Sequence, residues 1–127
     1  MDVTPLVKEG SKIIQSYAGG RFRISGESFE HAVLVMQNSV QKWDAAAPVK
    51  ELSAEDFEPL IDMRDEFDVV LMGTGERISF LQPALKRALK ERGLHIEVMD
   101  SGAACRTYNV LMAEGRRVIA ALLPYSE

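Results

Sequence analysis

The sequence predicts an α/β fold, a single compact domain with a mixed sheet: an N-terminal antiparallel meander followed by parallel strand–helix–strand units. Three observations carry this reading. Glycine-bearing turns separate short β-branched runs in the first half, whereas the second half alternates strand-length apolar runs with stretches of helical period. The length of 127 residues suits one domain that buries a core without disulfides or a structural metal. The composition, 46% hydrophobic and 27% charged with a net charge of −4, excludes disorder, collagen and coiled coil as the main architecture.

The elements follow in order. Ile13 to Tyr17 and Arg21 to Ile24 are β-branched or aromatic runs joined by Ala18-Gly19-Gly20, a connection that suits a hairpin because glycine takes positive φ freely. Ser25-Gly26-Glu27 leads into the apolar run from His31 to Met36. Gln37-Asn38-Ser39 then turns the chain into Val40 to Trp43, where apolar residues alternate as in a half-buried strand. These segments are expected to form one meander of three or four strands. A polar, proline-bearing stretch from Asp44 to Glu51 carries the chain away. Ser53 is expected to cap a helix with Glu55 and Asp56 at the positive end of its dipole, and Pro59 to limit that helix to one or two turns.

In the second half, Phe67 to Met72 reads as a buried strand ending in Gly73-Thr74-Gly75. From Pro83 to Arg92, Ala84, Leu85, Ala88 and Leu89 share one helical face, with Pro83 at a first helical position and Gly93 at the C-cap. His95 to Met99 is a further strand, Ser101 is expected to cap a helix running to about Glu114, and Arg117 to Leu123 is the last strand before Pro124. Strand–helix–strand–helix–strand is the pattern of a parallel sheet.

Several function classes lose support at once. No apolar run approaches the ~18–20 residues that cross a bilayer, and Met1 to Gly10 has no apolar run of signal-peptide length, so a cytoplasmic location is expected. Cys105 is the sole cysteine, and with two histidines it makes no convincing zinc set. Mild acidity argues against nucleic acid as a partner. Asp62, Asp65, Glu66 and Asp68 lack the spacing of a calcium loop and read as a solvated face, and no cofactor is indicated.

Two loops are expected to meet at the carboxyl edge of the parallel strands, where ligands gather in open α/β sheets. One is Gly73-Thr74-Gly75-Glu76-Arg77 and the other Asp100-Ser101-Gly102. Gly73 and Gly75 would allow close backbone approach, Thr74 and Ser101 would add hydrogen bonds, and Arg77 would add charge for an anion. A dinucleotide fingerprint would need glycine at position 78, where Ile78 stands, and the phosphate-loop Lys-Ser/Thr pair is absent. A plain structural turn therefore stands beside the ligand reading.

Cys105 falls in the first turns of the helix that follows Ser101, where a helix dipole lowers a thiol pKa. Helical phase places it on the arc of Ala104, Tyr108, Leu111 and Met112, toward the core, and Arg106 on the solvent side. Packing and a functional thiol both fit that placement. His31 and His95 read as strand-end residues, and Trp43 fits core or interface equally.

Three segments carry a family resemblance: Val69-Val70-Leu71-Met72-Gly73-Thr74-Gly75, Gly93-Leu94-His95-Ile96-Glu97-Val98-Met99-Asp100, and Ala104-Cys105-Arg106-Thr107-Tyr108-Asn109 with Leu111, Glu114, Gly115 and Arg116. Ser16-Tyr17, Phe22, Ile24-Ser25-Gly26 and Trp43 also fit. In this order the chain resembles the domain of unknown function 498 family. Cys105 and the ending Ala120-Ala121-Leu122-Leu123-Pro124 are similar to the branch holding a mitochondrial assembly factor for respiratory complex I. The resemblance implies a compact α/β domain with a mixed sheet, and it carries over no catalytic activity. Mitochondrial members bear a targeting extension, whereas this chain begins almost at the domain, so a bacterial, cytoplasmic member is expected.

Two functions follow as expectations. The first is a non-enzymatic binding or assembly protein with a protein partner, using Trp43 and the Gly73–Arg77 loop as contacts, in line with assembly of an NADH dehydrogenase-type complex. The second is a small-molecule or anion site, with an enzyme included, built from Gly73, Thr74, Gly75, Arg77, Ser101, Cys105 and Arg106.

Overall fold

In the computed structural model, residues 9–45 and 48–126 are described. Residues 1–8, which hold most of the Met1–Gly10 stretch read for a signal peptide, residues 46–47 of the connecting stretch and residue 127 lie outside them.

The first hairpin pairs β1 (Ile14–Ala18) with β2 (Arg21–Ile24) through Gly19 and Gly20, both at positive φ. A short strand absent from the sequence reading, β3 (Glu27–Phe29), follows the Ser25-Gly26 turn and pairs back onto β2. These three strands form a small sheet of their own. The hairpin of β4 (Val33–Met36) and β5 (Ser39–Lys42) belongs elsewhere, so the expected single meander is split between two sheets. The reason lies in β4, where Val33, Leu34 and Val35 are all buried. A strand buried on both faces needs a neighbour with layers above and below, and the three-stranded sheet offers none.

That neighbour is β8 (Val118–Leu123), buried along its whole length. β8 pairs antiparallel with β4 and parallel with β6 (Val69–Thr74), and β6 pairs parallel with β7 (Ile96–Met99). The five-stranded order is β5-β4-β8-β6-β7, a mixed sheet. Successive residues of its strands face opposite layers, as the two-residue period of a strand requires. Leu34, Val70, Met72, Ile119 and Ala121 pack with Trp43, Phe57, Leu60 and Leu89. Val33, Val35, Leu71, Ala120 and Leu122 pack with Phe22, Ile24, Ala104, Tyr108 and Met112.

The helices fill these layers. α1 (Glu58–Asp62) and α2 (Pro83–Glu91) serve the first, and α3 (Ser101–Ala113) with the small sheet serves the second. The helix is short, as expected, with α1 only five residues long, but Pro59 is not what stops it. It stands in the opening turn of α1, after a 3-10 turn at Ala54–Phe57, where a missing N–H costs nothing. The Asp56 carboxylate accepts the Ser53 amide at 2.9 Å, closing that turn. On α2, Leu89 is buried and Leu85 and Ala88 are half-buried, but Ala84 is exposed.

At the start of α3 the N-cap is Asp100, whose Oδ1 accepts the Ala103 amide at 2.8 Å, and not Ser101. Ser101 is instead the first helical residue, which turns its hydroxyl inward. Asn109, further along α3, fastens the small sheet: its carboxamide accepts the Ile14 amide at 2.9 Å and donates to the Ile14 carbonyl at 2.7 Å. It thereby occupies the backbone groups that a further strand would use.

Candidate functional site

The carboxyl ends of β6, β7 and β8 share one edge of the sheet with the start of β4 and the end of β5. The two loops expected to meet there do so. The Ser101 amide donates to the Gly75 carbonyl, and the Ser101 hydroxyl accepts the Gly75 amide, both at 2.8 Å, while that hydroxyl donates to the Leu123 carbonyl at 2.7 Å. Thr74 Oγ1 donates to the Arg77 carbonyl at 2.7 Å and accepts the Ser79 amide at 3.0 Å. Gly73, Thr74, Gly75 and Ser101 are buried, and Arg77 is exposed.

The segment after β8 completes this edge. Ser126 Oγ accepts the Arg77 amide at 2.8 Å and lies 2.9 Å from the Thr74 carbonyl, to which it donates. Tyr17 donates its phenol proton to the Pro124 carbonyl at 2.6 Å, and burial pushes that phenol up to about 12. Gly75, at φ +92°, faces the backbone of Tyr125 and Ser126 so closely that a β-carbon would overlap it. The loop is thus pinned from three sides, yet it projects two large apolar side chains: Ile78 is 48% exposed and Phe80 68%.

Cys105 and Arg106 stand apart from this cluster. With Tyr17 and Asn109 they line a crevice of about 350 Å³ between β1 and α3. Cys105 is buried, Arg106 is exposed, and burial pushes the thiol up to about 12 against the lowering influence of Arg106. The seven residues singled out from the sequence therefore divide between two places.

Trp43, left between core and interface by the sequence, is core. It is 2% exposed, meets Phe57 edge-on and donates its indole N–H to the Asp56 carbonyl at 2.8 Å. It is not available as a partner contact. Beside it opens a cleft of about 430 Å³ that the sequence did not reveal, with His31, Lys42, Asp44, Val49, Leu123 and Tyr125 among its walls. A neighbouring crevice of about 530 Å³ is bounded by Val49, Lys50, Arg77, Ile78 and Ser126. These walls come from separate parts of the chain, so only pairing register could have joined them. Asp62, Asp65, Glu66 and Asp68 are exposed, and Arg117 holds the Asp68 carboxylate at 2.7 Å.

Comparison with known proteins settles the family. A family model described as a protein of unknown function, DUF498/DUF598, matches residues 14–123. The chain belongs to this family. Among curated relatives, NADH dehydrogenase (ubiquinone) 1 alpha subcomplex assembly factor 3 of Bos taurus is 33% identical over 111 residues, covering 87% of this chain and 60% of the bovine one. An uncharacterised Rhodobacter capsulatus protein is 34% identical over 115 residues, covering 91% and 86%. The crystal structure of a Bordetella parapertussis protein superposes with a TM-score of 0.80 at 35% identity, covering 91% of this chain and 97% of that one. The α/β fold with its mixed sheet is thus shared with a solved structure of similar sequence, and the similarity to assembly factors agrees with the resemblance read from the residues. No helix among the described residues is long and apolar enough to cross a membrane.

Proposed function

We propose that the protein is a non-enzymatic binding and assembly protein that holds a protein partner through the loop between β6 and α2. The observation that carries this reading is the exposure of Ile78 and Phe80 on a loop whose backbone is fixed by Thr74 and Ser126. A large apolar side chain held out by a pre-ordered loop loses little entropy when it docks, which is how an anchor residue contributes to an interface. The same bonds support a scaffolding role for Thr74, Gly75 and Ser101, since their polar groups act within the chain. The partner is a component of a respiratory NADH dehydrogenase-type complex. The support here is the name of the bovine relative, an assembly factor for the alpha subcomplex of that enzyme.

The test is complementation. In source cells lacking the protein, Phe80→Glu is expected to leave the chain folded and at normal abundance but to reduce assembled NADH dehydrogenase on native gels. Full assembly with Phe80→Glu and Ile78→Glu combined would overturn the loop as the contact, and full assembly without the protein would overturn the assembly role.

A further inference from the structure

We propose that the cleft between the β4–β5 hairpin and the end of β8 is a binding site for a small amphiphilic acid, independent of the partner-binding loop. Its volume of about 430 Å³ falls in the range of small-molecule sites, roughly 300–1,000 Å³. Its floor is apolar and made of short or aliphatic side chains: Ala32, Ala45, Val49 and Leu123 line it and are each within a few per cent of full burial. That floor suits one aromatic ring or short aliphatic body.

The polar groups stand at the end of the hairpin, where its two strands open onto the cleft. Val33 pairs with Lys42, and the Trp43 amide donates to the Ala32 carbonyl at 2.9 Å, which brings His31 opposite Asp44. Lys42 and Asp44 both line the cleft beside His31. The rim therefore offers an ammonium, a carboxylate and an imidazole. The imidazole is oriented: its Nδ1 is 2.9 Å from the Ala32 carbonyl, and its ring meets Phe29 edge-on at 5.9 Å. A carbonyl only accepts, so Nδ1 carries a proton, and Nε2 is an acceptor whenever the ring holds only that one. The complementary ligand has an apolar body, a carboxylate for Lys42 and an O–H or N–H for Asp44 or His31 Nε2. Hydroxylated and amino-bearing aromatic acids have this chemistry.

The experiment is a titration followed by 1H–15N NMR with 4-hydroxyphenylacetate and L-phenylalanine. Glycine, which lacks the apolar body, and benzyl alcohol, which lacks the carboxylate, serve as controls. Saturable shifts at Ala32, Lys42, Asp44, Val49 and Leu123 are expected with at least one acid, and His95, at the far edge of the sheet, should stay unmoved. Lys42→Gln and His31→Ala change exposed residues and should keep the native spectrum. Each should weaken binding at least tenfold. Absence of saturable shifts with both acids overturns the proposal, as does equal binding of benzyl alcohol or undiminished binding in both variants. Phe80→Glu should leave the titration unchanged, so failure of this site and failure of the assembly role are read separately.

Discussion

Gly73 and Ser101 approach so closely that a β-carbon on residue 73 would lie 2.7 Å from the Ser101 hydroxyl oxygen and 2.8 Å from the Ser101 Cα. The second of these is backbone, so no rotamer change clears it. Through this contact the end of β6 and the start of α3 meet without a gap. The Ser101 hydroxyl can then reach both the Gly75 amide and the Leu123 carbonyl.

Gly73→Ala should therefore destabilise the fold by about 1–3 kcal/mol through overpacking. Ser101→Ala should cost a similar ~1–3 kcal/mol, because it leaves a buried amide and a buried carbonyl unpaired. Urea denaturation of each variant checks these values, and a change below about 0.5 kcal/mol in either, the size of an ordinary surface substitution, contradicts the packing.

Asn109→Ala should loosen the small sheet without unfolding the large one. The substitution frees both backbone groups of Ile14, while the five-stranded sheet keeps all its ladders. Hydrogen exchange is expected to accelerate across β1 and β2 and to stay unchanged in β6 and β8, a local opening rather than a global one.

Cys105 should resist alkylation in the native state. Raising its pKa from 9.0 to about 12 lowers the thiolate fraction at neutral pH by about a thousandfold. Iodoacetamide labelling is expected to follow unfolding, and rapid native labelling at pH 8 would contradict the burial. The same shift sets a sign for stability. The unfolded chain releases this proton first, so above pH 9 it binds fewer protons than the folded chain and stability falls as pH rises. Tyr17, raised from 10.0 to about 12, adds to the decline at higher pH. Cys105→Ala should flatten the first part of that slope.

The elements of the second half were legible because each has a boundary signal of its own. Pro83 and Gly93 bracket α2, and Gly115 and Pro124 bracket β8. Local signals failed where partners decide. β3 has three residues, too short for a period, and exists because β2 has an open edge. Asp100 and Ser101 are both good capping residues, and only the approach of Gly75 and Leu123 draws Ser101 inward. The inward arc of Cys105 and Tyr108 was read correctly from helical phase, since that phase is a local property. The exposure of Phe80 and the cleft beside His31 depend on which loops gather at one sheet edge, and pairing order carries that information.

The most direct measurement is site-specific photo-crosslinking in source cells, with a benzophenone side chain in place of Phe80 and, as control, in place of the exposed Glu91 at the end of α2. A discrete adduct from position 80 containing a component of the NADH dehydrogenase, and none from position 91, is the expected result. No adduct at position 80 beyond that seen at position 91 would contradict the loop between β6 and α2 as the surface that holds a partner.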